Sequence, residues 1–372
     1  MRIFQIINSG GLDRGGAERL ARELHLDLRR AGLEAYLLGL EAYDTNGVEP
    51  AASLGLKSPY DPVALPRLGK WLRERVRKDD VLHAHLFPTS LYVSTLRLLS
   101  VINAPCLFTE HNTLNRRRGH LPGRAIDRLA YFGFDRIVAI SGGVRDNLTM
   151  AHPRLRNRTT IVSNGCVLRF DSMPEREPST CPLILSVGRL ERQKNYDTAL
   201  KALAGLASQP FRYIVLGEGA ERAALRSQAT ELGLSDRVEF LGHVADIQPW
   251  LVEADLFLMP SRWEGFGLAA VEAMNAGLPV IAADVPGLRE VTGPDGVCAR
   301  LVRPDDVVML KHAVAALLQS SDQRKRLGRA AHQRAKLFGK ERMTSAYITL
   351  YREVQRASKQ SSTTRYLGVK NG

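Results

Sequence analysis

Apolar and polar residues follow two rhythms that alternate along the whole chain. Short apolar runs read as strands: MRIFQII at 1–7, AYLLGL at 35–40, DVLHAH at 80–85, APCLFTEH at 104–111 and DRIVAIS at 135–141. Between them apolar residues recur at helical spacing; Ala17, Leu20, Ala21, Leu24 and Leu28 share one helix face. The series then restarts with PLILSVG (182–188), FRYIVLG (211–217), RVEFLG (237–242), DLFLMP (255–260) and LPVIAA (278–283). Strands that are apolar throughout and separated by helices imply parallel sheets covered on both faces.

Between the two series lies FDSMPEREPSTCP (170–182), rich in proline, serine and charge, which reads as a linker. The expectation is two doubly wound α/β domains: 1–168, a linker at 169–181, and 182–340. A helix at 341–358 belongs to neither series, and residues 359–372 read as a flexible tail. In open α/β sheets ligands bind beyond the carboxyl ends of the strands, so the loops there are the places to search.

Composition narrows the field only a little. The 372 residues carry 52 Lys and Arg against 39 Asp and Glu, a net charge of +13. That charge suits nucleic acid, an anionic membrane face or a phosphate-bearing small molecule. Nucleic acid is set aside, because no zinc spacing, recognition helix or aromatic-basic strand motif accompanies the charge. No apolar run nears the roughly 20 residues of a bilayer span, and the N-terminus lacks the order of a secretory signal. Cys106, Cys166, Cys181 and Cys298 show no metal-ligand spacing and read as reduced thiols of a cytoplasmic protein.

Four strand-end loops carry candidate chemistry. In SGGLDRGGAERLA (9–21), Gly15 and Gly16 let a ligand approach the backbone where a helix begins, although neither dinucleotide nor P-loop spacing is present. In EHNTLNRRRGHL (110–121), His111 stands at a strand end, followed by Arg116, Arg117 and Arg118. Two readings of that triplet stand: a solvated basic loop, or a clamp for a phosphorylated acceptor. In SVGRLERQKNYDTAL (186–200), Arg189 and Lys194 sit beside a helix start, which suits a diphosphate. In EGFGLAAVE (264–272), Glu264 and Glu272 flank Gly265, Phe266 and Gly267 just ahead of a helix from Leu268. Carboxylates accept paired sugar hydroxyls, and amides at a helix N-terminus favour phosphate, so the loop reads as a nucleotide-sugar site. Acids placed there for the helix dipole would explain Glu264 but not the glycines. A glycosidase pair would draw its acids from opposite walls.

Over FLGHVADIQPWLVEADLFLMPSRWEGFGLAAVEAMNAGLPVIAADVPGLREV (240–291) the chain resembles the GT-B glycosyltransferases of retaining family 4, the glycosyl transferases group 1. GGAERLA (15–21), His111, Asn164–Gly165 and VGRLERQKN (187–195) follow in the order of that family, so the resemblance spans nearly the whole chain. It implies two Rossmann-like domains facing a cleft, with a C-terminal helix crossing back to the first. Carried over by position, Arg189 and Lys194 would hold the donor diphosphate, Glu272 the ribose, and Glu264 the transferred sugar. Backbone at Gly265, Phe266, Gly267 and Leu268 would assist, His243 and Val244 would lie by the base, and Gly16 would meet the phosphate or the acceptor. His111 would face the reacting carbon. Apart from the resemblance, Gly15 and the basic triplet Arg116–Arg118 are the candidates to meet an acceptor. The resemblance implies no cofactor and no metal, and the sequence has no Asp-x-Asp.

The implied reaction moves a sugar from a UDP- or GDP-type donor to a glycan or lipid-linked glycan hydroxyl, with retained configuration. The alternatives are a GT-B enzyme of another reaction type, phosphorylase or epimerase-like, and a soluble small-molecule acceptor. A membrane role has its own candidate in RLGKWLRERVRK (67–78), where Leu68, Trp71, Leu72 and Val76 form a stripe beside five cations. That helix would either rest on an anionic inner membrane face or cover the sheet with a solvated basic side.

Overall fold

The computed structural model describes residues 1–11, 16–112, 115–119, 121–176 and 179–368, with the side chains of Arg116 and 361–368 excluded. It divides into two compact units, 1–164 with 341–372, and 165–340.

The first unit holds a seven-stranded sheet: β1 (Arg2–Ile7), β2 (Glu34–Glu41), β3 (Ala51–Leu56), β4 (Val81–His85), β5 (Cys106–Glu110), β6 (Arg136–Ala139) and β7 (Thr159–Ile161). The spatial order is β3-β2-β1-β4-β5-β6-β7, and every pairing is parallel. The second unit holds β8 (Leu183–Val187), β9 (Arg212–Leu216), β10 (Val238–Gly242), β11 (Leu256–Met259), β12 (Val280–Ala283) and β13 (Ala299–Val302). Their order is β10-β9-β8-β11-β12-β13, again all parallel. Central strands such as β4, β5, β11 and β12 are buried at every residue, as helices on both faces demand. The chain is an α/β protein of two Rossmann-like domains. Among the described residues no helix is long and apolar enough to cross a membrane.

Three strands escaped the sequence reading: β3, β7 and β13. Each is an edge strand. An edge strand is covered less completely, so AASLGL, TTI and ARLV lack the apolar run that marks a central one.

The segment 169–181 is not a free linker. Phe170 and Asn275 exchange two hydrogen bonds of 3.1 and 2.9 Å. The Arg176 guanidinium donates to the carbonyls of Ala254, Leu251 and Ala276, each at 2.8 Å. Proline and charge there mark a strap fastened to the second unit, and the division falls earlier, between Asn164 and Gly165.

The last helix, Lys340–Gly368, also departs from expectation, because it continues through the residues read as a tail. No glycine or proline interrupts it before Gly368. Met343, Tyr347, Leu350, Tyr351 and Val354 are buried at helical spacing, and residues from Glu341 onward group with the first unit. Polar ties fix it there: Tyr351 Oη to His83 Nδ1 at 2.6 Å, Tyr347 Oη to Thr109 Oγ1 at 3.0 Å, and Gln355 Nε2 to Asp79 O at 2.6 Å.

Candidate functional site

In each sheet the strand order reverses once, between β1 and β4 in the first and between β8 and β11 in the second. A crevice forms at such a switch point beyond the strand ends. In the second unit the loops flanking it are 188–195 after β8 and 260–267 after β11, which carry the cations and acids singled out above.

The two loops are sewn together. Asn195, buried and left-handed at φ 61°, donates from Nδ2 to Pro260 O at 2.9 Å. Gln193 Nε2 donates to Trp263 O at 2.8 Å, and the Arg262 amide donates to Gln193 O at 2.8 Å. Arg262 also reaches Asp197 at 3.0 Å and Asp305 at 2.8 Å. This stitching brings Lys194 Nζ to 2.5 Å from Glu264 Oε1. Glu264 is buried.

Glycines give the site its closeness. Gly267 has φ 105° and immediately precedes the helix Leu268–Asn275, whose first turn has no side-chain cap. Its amides are therefore donors suited to an anion. The turn rests on Gly287, where a Cβ would fall 2.5 Å from Glu264 O. Gly217, at the end of β9, admits no side chain either, since a Cβ would lie 2.0 Å from Gly188 O.

Other expected residues sit differently. Arg189 is largely exposed and pairs with Glu191 at 2.8 Å rather than with Glu264. Glu272 is half-buried within the helix, eight positions past Glu264. Phe266 is buried in an edge-to-face contact with Phe338 at 5.4 Å, so only its backbone is available to a ligand. Gly265 and Leu268 are half-buried. His243 is exposed and Val244 half-buried just past β10, which is two strands removed from β8.

The first unit carries the remaining candidates. Gly16 opens the helix Gly16–Arg30, exposed, and a Cβ there would meet nothing within 4 Å. Gly15 lies outside the described residues, as does the Arg116 side chain. His111 is buried at the end of β5 with Nε2 3.3 Å from His85 Nδ1. Burial holds the His111 pKa down at about 4, so its ring is neutral near pH 7. His83, also pulled down by burial, to about 3, bonds Thr109 Oγ1 at 2.7 Å and packs 4.0 Å from the His85 ring.

Arg117 and Arg118 fit neither of the two readings of the triplet, since they are engaged with a buried acid rather than solvated or free. Asp127, fully buried, accepts from Arg117 at 3.0 Å, Arg118 at 2.9 Å, Asn115 at 2.6 Å and His152 at 2.9 Å. Arg117 lies 3.7 Å over the Phe87 ring. These donors outweigh desolvation and hold the Asp127 carboxyl at about 2. Burying a carboxylate requires that it be paired, so two arginine charges of the triplet serve Asp127. The RLGKWLRERVRK stripe is likewise turned inward. Leu68 and Leu72 are fully buried on the sheet and Trp71 stacks edge-on against Phe4, so the helix Ala64–Arg75 covers the core.

What the sequence reading missed are the positioning residues, Asn195, Gln193, Arg262 and Asp127. Asn195 had one signal, because asparagine tolerates the left-handed conformation before a helix. Asp127 gave none.

Comparison with known proteins places the chain. The glycosyl transferases group 1 model matches residues 169–334 and the glycosyltransferase family 4 model matches 14–170. Together these matches account for both units, and the chain belongs to the group 1 glycosyltransferases of family 4, with the GT-B fold. A Mycobacterium tuberculosis glycogen synthase is 29% identical over 310 residues, covering 79% of this chain and 73% of that protein. A GDP-mannose-dependent alpha-(1-6)-phosphatidylinositol dimannoside mannosyltransferase from the same species is 29% identical, covering 94% of this chain and 95% of its own. Among solved structures, Anabaena HepE in complex with UDP has a TM-score of 0.79 at 22% identity, covering 95% of this chain and all of that one.

Proposed function

We propose that this protein transfers a sugar from a UDP- or GDP-linked donor to a hydroxyl of a glycan or lipid-linked glycan, retaining the anomeric configuration. The observation that carries the proposal is the Lys194–Glu264 pair, held at 2.5 Å beside an uncapped helix N-terminus at the switch point of the second sheet. An ammonium, a carboxylate and free amides are what a diphosphate joined to a polyhydroxylated ring requires. One relative is named for GDP-mannose and one structural neighbour holds UDP, so both bases fall within the proposal.

In the step proposed, the acceptor oxygen bonds to the anomeric carbon while the bond from that carbon to the β-phosphate oxygen breaks. The acceptor proton passes to the departing phosphate, and nucleoside diphosphate leaves. Arg189, Lys194 and the amides at Gly267 and Leu268 offset the charge growing on the diphosphate. Glu264 receives sugar hydroxyls and Glu272 the ribose. His111, neutral, orients a hydroxyl by hydrogen bonding and adds no charge. The step uses no metal or cofactor. We further place the protein in the cytoplasm, at the inner face of the cell membrane, on the strength of its +13 charge and the helix face described below.

The test pairs binding with turnover. A panel of UDP-, GDP- and ADP-sugars should raise the melting temperature for one base only, and acceptor should trigger nucleoside diphosphate release. Arg189→Ala should lose about 2–4 kcal/mol of transition-state stabilisation, by analogy with removed oxyanion donors. Full turnover in that variant would remove Arg189 from the leaving-group role.

A further inference from the structure

The helix Leu121–Phe132 is amphipathic with its apolar side outward. Its buried positions are Gly123, Asp127, Ala130 and Tyr131, one of them a fully buried aspartate. Its exposed positions include Leu121 at 78%, Phe132 at 60%, Ile126 at 41% and Leu129 at 39%, with Pro122 and Ala125 among them. At about 100° per residue these six share one arc of roughly 140°. Arg124 and Arg128, both exposed, border that arc. The neighbouring helix Thr89–Leu98 is joined by a 2.5 Å bond from Ser94 Oγ to Leu129 O, and its end exposes Leu98 and Leu99.

Single exposed apolar residues are ordinary, but a continuous apolar face with a cationic border marks a surface meant for a partner. The charge is one-sided. Within 115–136 the only acids are Asp127, buried, and Asp135, whose carboxylate accepts from the Cys106 amide at 2.8 Å.

We propose that the helix Leu121–Phe132 docks on an anionic lipid surface, its apolar arc entering the headgroup boundary and Arg124 and Arg128 meeting lipid phosphates. Leucine and phenylalanine outward with arginine alongside is the pattern of an interfacial helix. Basic residues near such a surface add attraction that salt weakens. The helix also holds the loop that follows β5: Asp127 binds Asn115, Arg117 and Arg118, and the Tyr131 hydroxyl donates to Glu110, next to His111. Docking through the outer face therefore sets the His111 loop beside the membrane, where a lipid-linked acceptor would present its sugar. This last consequence rests on the sugar-transfer reading; docking itself does not.

The experiment is flotation of the full chain with phosphatidylcholine vesicles, with and without equimolar phosphatidylglycerol, in the absence of donor. The expected result is binding to the phosphatidylglycerol vesicles that weakens with added salt. Leu121→Glu with Phe132→Glu should weaken it at least about tenfold, and Arg124→Glu with Arg128→Glu by a comparable factor. Lys70→Glu with Arg73→Glu, on the helix whose apolar stripe is buried, should change it far less. All six positions are exposed, so circular dichroism should show the fold unchanged. Equal binding to neutral vesicles would overturn the proposal. So would a concentration-dependent dimer that the Leu121 and Phe132 changes abolish without any vesicle binding, since a second copy of the chain would then cover the face. Donor-induced thermal shift, measured separately, reports whether the sugar-transfer reading survives either result.

Discussion

The two arginine-bearing loops, 115–119 in the first unit and 189–194 in the second, look alike in sequence, yet Arg117 and Arg118 on one side and Arg189 on the other are paired in opposite ways. In the first, Arg117 and Arg118 converge on Asp127, which is fully buried and takes four side-chain donors. In the second, Arg189 leans into solvent toward the half-exposed Glu191, while Lys194 faces the buried Glu264. A cation consumed by a buried partner holds a loop in shape. A cation on an exposed partner can exchange that partner for a phosphate at little cost, because an exposed pair contributes about 0–1 kcal/mol. Counting basic residues in a loop therefore says nothing about anion binding until the location of the counter-charge is known.

The largest effect should come from breaking the buried side of that contrast. Asp127→Ala would leave Arg117 without its carboxylate, Arg118 with only the Glu110 carboxylate at 3.9 Å, and His152 without its acceptor. Removing one partner of a buried ion pair costs about 3–5 kcal/mol. Chemical denaturation should show a loss of that size, and hydrogen exchange should place it in 115–134. A change under about 1 kcal/mol would mean that solvent already shares those charges, and the contrast would dissolve.

Acid should sharpen the same contrast with a smaller effect. His83, His85 and His111 are buried in the first unit, and burial lowers all three from 6.5, His83 to about 3 and His111 to about 4. Once unfolded, each binds a proton near 6.5; folded, it resists. Stability is therefore intact above 6.5 and declines as pH falls through 6.5 toward 4, the unfolded chain taking up the protons. The first pH unit below 6.5 should cost roughly 1 kcal/mol per histidine. Asp127, held at about 2, contributes little to this window, because its own loss sets in only at about pH 5 and falls mostly below the ordinary aspartate value of 3.8. Hydrogen exchange over the pH series should show β4, β5 and the C-terminal helix loosening first. Earlier loosening of the second unit would sink the assignment.

How much of this could be read in advance depends on how local each cause is. Strands such as DLFLM and PVIAA are apolar because both faces are covered, and that condition is written residue by residue. The edge strands AASLGL, TTI and ARLV owe their pairing to a neighbour instead. The acids of EGFGLAAVE and the cations of GRLERQK were visible because a strand end, a glycine turn and a helix start follow one another in sequence. Their meeting at 2.5 Å depends on Asn195, Gln193 and Arg262 reaching across about 70 positions, and no local pattern reports that. Asp127 is a further case of the same kind. An isolated aspartate on a helix reads as a solvated residue until the fold places four donors around it. The apolar arc from Leu121 to Phe132 was hidden for the reverse reason, since a helix normally turns such an arc inward, as Leu68 and Leu72 do.

The smallest expected effect is the most discriminating, because it concerns the exposed side of the contrast. Glu191 holds Arg189 at 2.8 Å, with 40% of its own side chain exposed and 65% of the arginine's. Glu191→Ala should leave stability within about 1 kcal/mol, as exposed pairs do. It also removes a negative charge beside the proposed diphosphate position and frees the guanidinium. Titration calorimetry with the nucleoside diphosphate should therefore show binding unchanged or tightened by up to about fivefold, an effect that added salt diminishes. Weaker binding would mean that Glu191 orients Arg189 rather than occupying its site. The two loops would then differ only in depth, both being ion pairs that give shape, and the anion would have to be held by Lys194 and the helix amides alone.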